Sequence, residues 1–280
     1  MRRGALVLTI LMAMTVLVGV PAATAGPDTT PPPPRPDYRG AVSMKICSGS
    51  IVRFAGSRDT DRALALTNGH CHGKRLPEPD VVLGEQPARR PVALLDRSGE
   101  KVGSVLTDRL LFATMEHTDV ALYRLRVTYR GLRERYGVRP LELATRRAAR
   151  NTPITIRAGL NRIEYRCGLQ GFSYRLVEGD YTWQWSLRYR TGACRTVGGT
   201  SGAPVLDPQR RVVGVNNTGT IEGYSGCELG APCEVSRDGD VRSFPRRSYG
   251  QQTWQLTTCL DAEQRLFDAT RRGCRLPDVT

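Results

Sequence analysis

The residues of this chain best suited to chemistry are one serine in a glycine-rich stretch and a small set of histidines. Residues 197–206 read VGGTSGAPVL and place Ser201 between glycines. The 280-residue chain has three histidines, His70, His72 and His117, and all three precede Ser201. A serine nucleophile needs a general base, usually histidine, and a carboxylate that orients this base. Ser201 is therefore either a nucleophile on a tight turn or a hydroxyl in an ordinary loop.

The order of these residues along the chain separates two classes of serine enzyme. In an α/β-hydrolase the order is serine, acid, histidine, and the serine lies in a Gly-x-Ser-x-Gly motif. No histidine follows Ser201, and Ala203 interrupts that motif. The α/β-hydrolase arrangement is therefore excluded, and the order histidine, aspartate, serine stays open.

Three local motifs agree with that second order. His70 follows an apolar run in LALTNGHC, Asp119 opens an apolar run in HTDVALYRL, and Ser201 lies in GGTSGAPVL. Together with the strand pattern, these motifs resemble the chymotrypsin-like (trypsin-like) serine proteases over residues 40–249. The resemblance implies that His70 is the general base, that Asp119 orients it and that Ser201 is the nucleophile. It also implies an oxyanion hole formed by the amides of Gly199 and Ser201, where a glycine leaves room for an inward-pointing amide.

The same resemblance implies a substrate pocket. The stretch VVGVNNTG is similar to the family strand that lines this pocket, so Asn217, Thr218 and Gly219 are expected to face the substrate. Arg195 falls near the pocket floor, six residues before Ser201. An arginine there would pair with an acidic side chain before the cleaved bond. The alternative is a solvated arginine that points away from the pocket.

The residue before Ser201 bears on activation. Many animal members of the family have an aspartate at this position, which pairs with the N-terminus freed by zymogen cleavage. This chain has Thr200, which cannot form that ion pair. The resemblance therefore predicts an enzyme that needs no activation beyond removal of its signal peptide.

The N-terminal segment has the pattern of an export signal. Arg2 and Arg3 precede an apolar run at residues 5–20, and the sequence ATA at residues 23–25 offers small residues to a signal peptidase. We predict a signal peptide at residues 1–25, a Pro-rich tether at residues 26–39 and a secreted, extracellular protein. The alternative is an uncleaved membrane anchor.

The eight cysteines are expected to be oxidised, because an exported chain reaches an oxidising compartment. Spacing alone does not choose among the pairings that eight cysteines allow. By the resemblance, Cys47 pairs with Cys71 and pins the loop that carries His70. The other expected pairs are Cys167–Cys194, Cys227–Cys233 and Cys259–Cys274, of which the last two rest on proximity in sequence.

The apolar pattern beyond residue 40 predicts strand after strand. One group of predicted strands comprises residues 50–54, 63–67, 81–83, 92–95, 102–106, 110–114 and 120–125, and a second comprises residues 154–157, 162–167, 172–176, 181–189, 204–206 and 211–215. These groups predict an all-β fold of two six-stranded antiparallel β-barrels with a cleft between them. Within the strand at 181–189, Tyr181, Trp183 and Trp185 alternate and are expected to pack in the core or on a face of the sheet instead of forming a binding platform.

The predicted strands also divide the chain into segments. The N-terminal barrel is expected at residues 40–125 and the C-terminal barrel at residues 151–258, with an arginine-rich connection at residues 126–150. A short helix is expected at residues 262–272, within a C-terminal segment (residues 259–280) that a Cys259–Cys274 bridge would clip.

The charge of the chain raises the question of a nucleic-acid partner. Lys and Arg number 41 against 27 Asp and Glu, which gives a formal net charge of +14. However, only Lys45, Lys74 and Lys101 are lysines, and the arginines are scattered instead of forming one basic run. No nucleic-acid partner is therefore expected.

Metal chemistry is a further alternative, because His70 and His72 could share one face of a strand. Cys71 between them should be oxidised, so no metal and no other cofactor is expected. The sequence thus predicts a monomeric secreted serine endopeptidase that acts on protein or peptide substrates and has no membrane partner after signal removal. The alternative is a non-catalytic module that keeps the protease fold and binds without turnover.

Overall fold

Backbone pairing in the computed structural model closes two rings of six antiparallel strands. The structure describes residues 35–73 and 78–279, so the predicted signal peptide and most of the predicted tether lie outside the described residues. Within these two ranges, no helix has the length and apolar content needed to cross a bilayer.

The first ring is built from the N-terminal strands. They are β1 (Ala41–Met44), β2 (Cys47–Arg53), β3 (Arg62–Thr67), β4 (Val82–Leu83), β5 (Gln86–Pro87), β6 (Pro91–Leu95), β7 (Lys101–Thr114) and β8 (Val120–Thr128). The ring runs β1-β6-β7-β8-β3-β2 and closes because β2 also pairs with β1. Strands β4 and β5 add short pairings to β7.

A connection with its own helix leads to the second ring. Helix α1 (Tyr129–Tyr136) begins after Thr128, whose hydroxyl accepts a hydrogen bond from the Gly131 amide, and ends at Gly137 in the left-handed conformation. Strand β9 (Leu141–Glu142) then pairs in parallel with β2. The helix lies inside the segment for which the sequence suggested only a connection.

The second ring uses the C-terminal strands. They are β10 (Pro153–Ala158), β11 (Ile163–Glu178), β12 (Tyr181–Tyr189), β13 (Pro204–Leu206), β14 (Val212–Gly219), β15 (Cys233–Val235), β16 (Val241–Ser243) and β17 (Ser248–Gln252). The ring runs β10-β13-β14-β17-β12-β11 and closes through β10–β11 pairing, while β15 and β16 extend it from β11. The predicted all-β fold of two six-stranded barrels is therefore confirmed.

Apolar side chains fill each barrel and also join the two. The core of the first barrel includes Ile51 and Tyr123, and that of the second includes Ile156 and Leu187; all four are fully buried. A further buried cluster combines residues of both barrels, among them Leu66, Phe112, Leu122, Leu206 and Val215. Burial at this junction holds the two barrels against each other, at roughly 25 cal/mol per Å² of apolar surface removed from water.

The predicted C-terminal helix is wrong. Residues 262–272 form turns, and Leu260 pairs with Phe267 in an isolated bridge. The carboxylate of Asp261 accepts hydrogen bonds from the amides of Arg265 and Leu266, which offers the backbone an alternative to helical bonds. Phe267 packs against the buried Phe54 and Phe112. Tertiary packing and local side-chain bonds thus override a stretch rich in good helix formers.

The even alternation expected along β12 is also interrupted. Tyr181 and Trp183 are buried and stack with ring centroids 6.0 Å apart. Trp185 has a positive φ of 55° and is only half-buried, with its ring packed edge-on against Tyr174. The irregular residue turns Trp185 away from the face that Tyr181 and Trp183 share.

Four disulfides cross-link the described chain. They are Cys47–Cys71, Cys167–Cys194, Cys227–Cys233 and Cys259–Cys274, the same four pairs as expected from the sequence. Among the described residues no cysteine is free. Such a set is typical of proteins from oxidising compartments outside the cytosol.

Candidate active site

The first barrel contributes a histidine and an aspartate in direct contact. His70 lies in a 3₁₀ turn (Gly69–Cys71) just after β3, and Asp119 lies just before β8, the neighbour of β3. The Nδ1 atom of His70 is 2.7 Å from Oδ2 of Asp119, and the His70 amide donates to Oδ1 at 3.0 Å. Asn68 adds a third link, because its side-chain amide donates to the Asp119 carbonyl at 2.8 Å. A proton on Nδ1 leaves Nε2 of His70 as an acceptor.

The environment of this pair favours a charged imidazole. The carboxylate of Asp119 is fully buried, whereas about 21% of the His70 side chain stays exposed. Burial lowers the pKa of His70, but the charge of Asp119 and its hydrogen bond, helped by the charge of Glu178, raise the pKa above its usual value. The arrangement can accept a proton at Nε2 and stabilise the imidazolium that results.

The second barrel contributes Ser201 on a tight turn before β13. Gly199 and Gly202 flank it with φ values of 82° and 77°. A Cβ atom at Gly202 would lie 2.1 Å from Oγ1 of Thr67 and 2.4 Å from the Ser48 carbonyl oxygen, so only glycine fits there. The Ser201 hydroxyl donates to the Asn217 carbonyl at 3.3 Å.

Two amides of this turn remain available. The Thr200 amide bonds to Val197 and the Gly202 amide to Asn216. Within the described part of the chain, the amides of Gly199 and Ser201 have no hydrogen-bond acceptor. Two unpaired amides in one turn, one of them from the serine itself, are the donors that a developing oxyanion requires.

Ser48 of β2, which the sequence reasoning missed, ties this turn to the first barrel. Its amide donates to the Ser201 carbonyl at 2.9 Å and its hydroxyl donates to the Gly199 carbonyl at 2.9 Å. The same hydroxyl accepts a hydrogen bond from the Leu160 amide at 3.1 Å. The motif CSGS does not indicate these hydrogen bonds, because the sequence does not distinguish a bonded buried serine from any other small residue in a strand.

A cleft of about 230 Å³ brings the two halves of the site together. It is lined by His70 and Met115 from the first barrel, by Ser201 and its neighbours, and by residues of β11, β12 and β14. Asn217, Thr218 and Gly219, which the sequence places in the substrate pocket, also line it. The structure thus brings His70, Asp119 and Ser201 to one site, with His70 and Ser201 facing the same cleft.

The structure does not place Arg195 at the pocket floor. The cleft lining begins at Thr196, and the Arg195 side chain, 41% exposed, pairs with the exposed Glu222 at 2.9 Å. Arg195 directly follows Cys194 of the Cys167–Cys194 disulfide, and it lies outside the described lining of the cleft. The solvated alternative describes this arginine.

An acid that the sequence reasoning missed lines the cleft instead. Glu178 ends β11, and only 5% of the residue is exposed. Its Oε1 atom accepts hydrogen bonds from the Thr218 hydroxyl at 2.9 Å and from the Gly230 amide at 2.6 Å. In the sequence this glutamate stands before Gly-Asp at a hairpin turn, where an exposed acid is the ordinary interpretation.

The remaining histidines have local roles. Nδ1 of His72 is 2.7 Å from the Tyr123 hydroxyl, and burial together with the charge of Arg90 lowers its pKa. His117 lies in a turn with a positive φ of 57°. One nitrogen of His70 lies within 4.8 Å of the sulfurs of Cys47 and Cys71, but the disulfide leaves neither sulfur as a thiolate ligand.

Comparison with known proteins decides the family. A family model described as the trypsin-like peptidase domain matches residues 47–215, a range that contains His70, Asp119 and Ser201. The chain belongs to this family. The predicted resemblance is therefore confirmed, and the trypsin-like peptidase family is one of serine proteases.

Solved structures similar to this trypsin-like peptidase chain include three proteases. The MamO protease domain of Magnetospirillum magneticum is 14% identical with a TM-score of 0.45, over 76% of this chain and 92% of that one. The active form of the Rv3671c protease of M. tuberculosis is 13% identical with a TM-score of 0.45, over 78% and 77%. A Glu endopeptidase is 15% identical with a TM-score of 0.43, over 77% and 86%. No curated protein matches the sequence.

Proposed function

We propose that this protein is a secreted serine endopeptidase with His70, Asp119 and Ser201 as its catalytic residues. The observation that carries the proposal is the contact between Nδ1 of His70 and the buried carboxylate of Asp119, with Ser201 facing the same cleft. Family membership supports the reaction type, and the two unpaired amides beside Ser201 support acyl transfer.

In the proposed mechanism Oγ of Ser201 attacks the carbonyl carbon of the scissile peptide bond. Rotation of the side chain from the Asn217 carbonyl brings Oγ to Nε2 of His70, which takes its proton while Asp119 stabilises the imidazolium. The carbonyl oxygen gains the negative charge and binds the amides of Gly199 and Ser201. When the intermediate collapses, the C–N bond breaks and His70 gives its proton to the leaving amine. Water then attacks the acyl-enzyme by the same steps and releases the acid.

A direct test is covalent labelling with a fluorophosphonate. The full-length chain with its disulfides formed should gain one phosphonyl group on Ser201, and His70→Ala should lose the labelling. Ser98→Ala, at an exposed turn, is the control and should label like the unaltered chain. An unlabelled but correctly oxidised protein would favour the non-catalytic binding module.

Activation and export are parts of the same proposal. The Thr200 hydroxyl donates to the Val197 carbonyl at 2.5 Å and accepts from the Asn216 side chain at 3.0 Å, so neutral bonds hold the turn without an ion pair. We expect the chain cleaved after Ala25 to be active as a monomer on peptides. Inactive exported protein that becomes active only after trimming by another protease would contradict this part.

A further inference from the structure

Glu178 is unusual among the buried acids of the described chain. Asp37, Asp207 and Glu234 each pair with an arginine, and Asp119 pairs with His70. Glu178 bonds only to neutral donors, a hydroxyl and an amide. A buried carboxylate without a hydrogen-bonded cation is costly, because its charge has lost its hydration, and the nearby charge of His70 offsets only part of this cost. Burial accordingly raises the pKa of Glu178.

The position of Glu178 gives it access to a ligand. Both hydrogen bonds that the carboxylate accepts end on Oε1, and the side chain lines the cleft. Among the described residues that line this cleft, Glu178 is the only carboxylate, and none is lysine or arginine. The cleft therefore offers one carboxylate, and the only basic group in its described lining is the imidazole of His70.

An aromatic wall stands next to this charge. Tyr181 and Trp183, on the strand that follows Glu178, stack nearly parallel at an interplanar angle of 5° and line the same cleft. Aromatic faces attract cations, and a guanidinium also stacks on them through its plane. A carboxylate beside aromatic rings is a suitable site for an arginine side chain, whose alkyl stem packs on the rings.

From these observations we infer that Glu178 is a specificity-determining residue that selects substrates with an arginine on the amino-terminal side of the cleaved bond. The inference rests on the proposed function and names its substrate class. The arginine supplies a hydrogen-bonded cationic partner, which Glu178 lacks in the free protein. The neighbouring Val197, Ile221 and Leu229, all exposed at the cleft, favour apolar residues around it.

The competing interpretation is structural. Residues 220–232, here called the wall loop, link β14 to β15, and Glu178 fastens this loop through the Gly230 amide. The Gly179 amide also bonds the loop, at the Cys227 carbonyl, and the Cys227–Cys233 disulfide cross-links it to β15. Glu178→Gln separates the two interpretations, because the amide oxygen of glutamine keeps both hydrogen bonds to Oε1 and removes only the charge.

The experiment compares arginine with citrulline, its neutral isostere. Each fluorogenic peptide would carry arginine or citrulline at one of the four positions before the cleaved bond, with uncharged residues at the other positions. The quantity measured is kcat/KM. The full-length enzyme should prefer arginine about tenfold or more at one position at least, as expected for a buried charge-assisted pair. Glu178→Gln should bring that ratio close to one. Glu222→Gln is the matched control, since it removes an exposed acid beside the cleft, and should keep the ratio.

Equal kcat/KM values for arginine and citrulline peptides at all four positions would overturn the inference, and so would an unchanged preference for arginine in Glu178→Gln. In either case, hydrolysis of the uncharged peptide would still uphold the proposed function. A lower melting temperature of Glu178→Gln with an unchanged ratio would show a structural role instead. A chain that neither hydrolyses peptides nor takes the fluorophosphonate would contradict the proposed function. In that case calorimetry decides the inference, by measuring how the same peptides bind to Ser201→Ala with and without Glu178→Gln. Tighter binding of the arginine peptide that disappears in Glu178→Gln supports the inference, and equal binding of arginine and citrulline peptides refutes it.

Discussion

Replacing Ser48 with alanine should weaken both the fold and the site. Its hydroxyl donates to the Gly199 carbonyl at 2.9 Å and accepts from the Leu160 amide at 3.1 Å, and Ser48 is fully buried. Alanine would leave both backbone groups without these partners. Each such loss costs about 1 to 2 kcal/mol, so the free energy of unfolding should fall by roughly 2 to 4 kcal/mol.

The chain provides a closely matched control two residues further along β2. Ser50 is also fully buried, but its hydroxyl has no hydrogen-bond partner among the described residues. Ser50→Ala removes the same atom and should leave the free energy of unfolding unchanged or raise it by up to about 1 kcal/mol. The difference between the two variants in the free energy of unfolding therefore measures the effect of the hydrogen bonds, apart from the effect of losing a buried oxygen.

Urea denaturation with the disulfides intact measures both variants. The rate of fluorophosphonate labelling gives a second readout, because the Gly199 carbonyl belongs to the turn that presents the proposed oxyanion amides. Ser48→Ala should label several-fold more slowly than Ser50→Ala under native conditions. A destabilisation of Ser48→Ala below about 0.5 kcal/mol, or an equal cost for Ser50→Ala, would refute the reasoning from unpaired backbone groups.

Further predictions concern the base, the turn and the wall loop. The rate of labelling should rise with pH, with the midpoint of the rise above 6.5, because the charges of Asp119 and Glu178 raise the pKa of His70 and keep it protonated to higher pH. Asp119→Asn should lower this midpoint, and a pH profile with the same midpoint would contradict the reasoning. Gly202→Ala should cost about 2 kcal/mol or more in urea denaturation, because φ is 77° and the Cβ would collide with Thr67; a neutral effect would show that the turn adapts. Removing the Cys227–Cys233 disulfide by two serines should lower stability by at most about 2 kcal/mol but raise KM for peptides, and an unchanged KM would separate the wall loop from substrate binding.

The sequence predicts most of what depends on regular apolar patterns. The strand at residues 181–189 has the predicted bounds of β12, whereas the predictions at 102–106 and 110–114 are parts of the single strand β7. Strand β17, which helps to close the second barrel, has no counterpart among the predicted strands, because its five buried residues are SYGQQ and carry no apolar alternation. Their burial follows from the strands on both sides, which a local pattern does not contain.

The candidate site divides in the same way. His70, Asp119 and Ser201 stand in short motifs and could be named from the sequence. Glu178 could not be named in this way, because its burial depends on the wall loop, which lies more than forty residues later in the sequence. The position of Arg195, six residues before Ser201, predicts a place at the pocket floor, whereas its side chain pairs with Glu222 outside the cleft lining. Side chains placed by long-range contacts have no local signature.

Two neighbouring residues of β2 connect both halves of the site. Cys47 is bonded to Cys71, next to His70, and Ser48 holds the turn of Ser201. Adjacent residues of a strand project to opposite faces, so one short segment reaches both. His70 and Ser201, the proposed base and nucleophile, are thus positioned from a common anchor in β2. Substitutions within residues 220–247, between β14 and β17, can therefore alter the proposed substrate selectivity while this anchor stays intact.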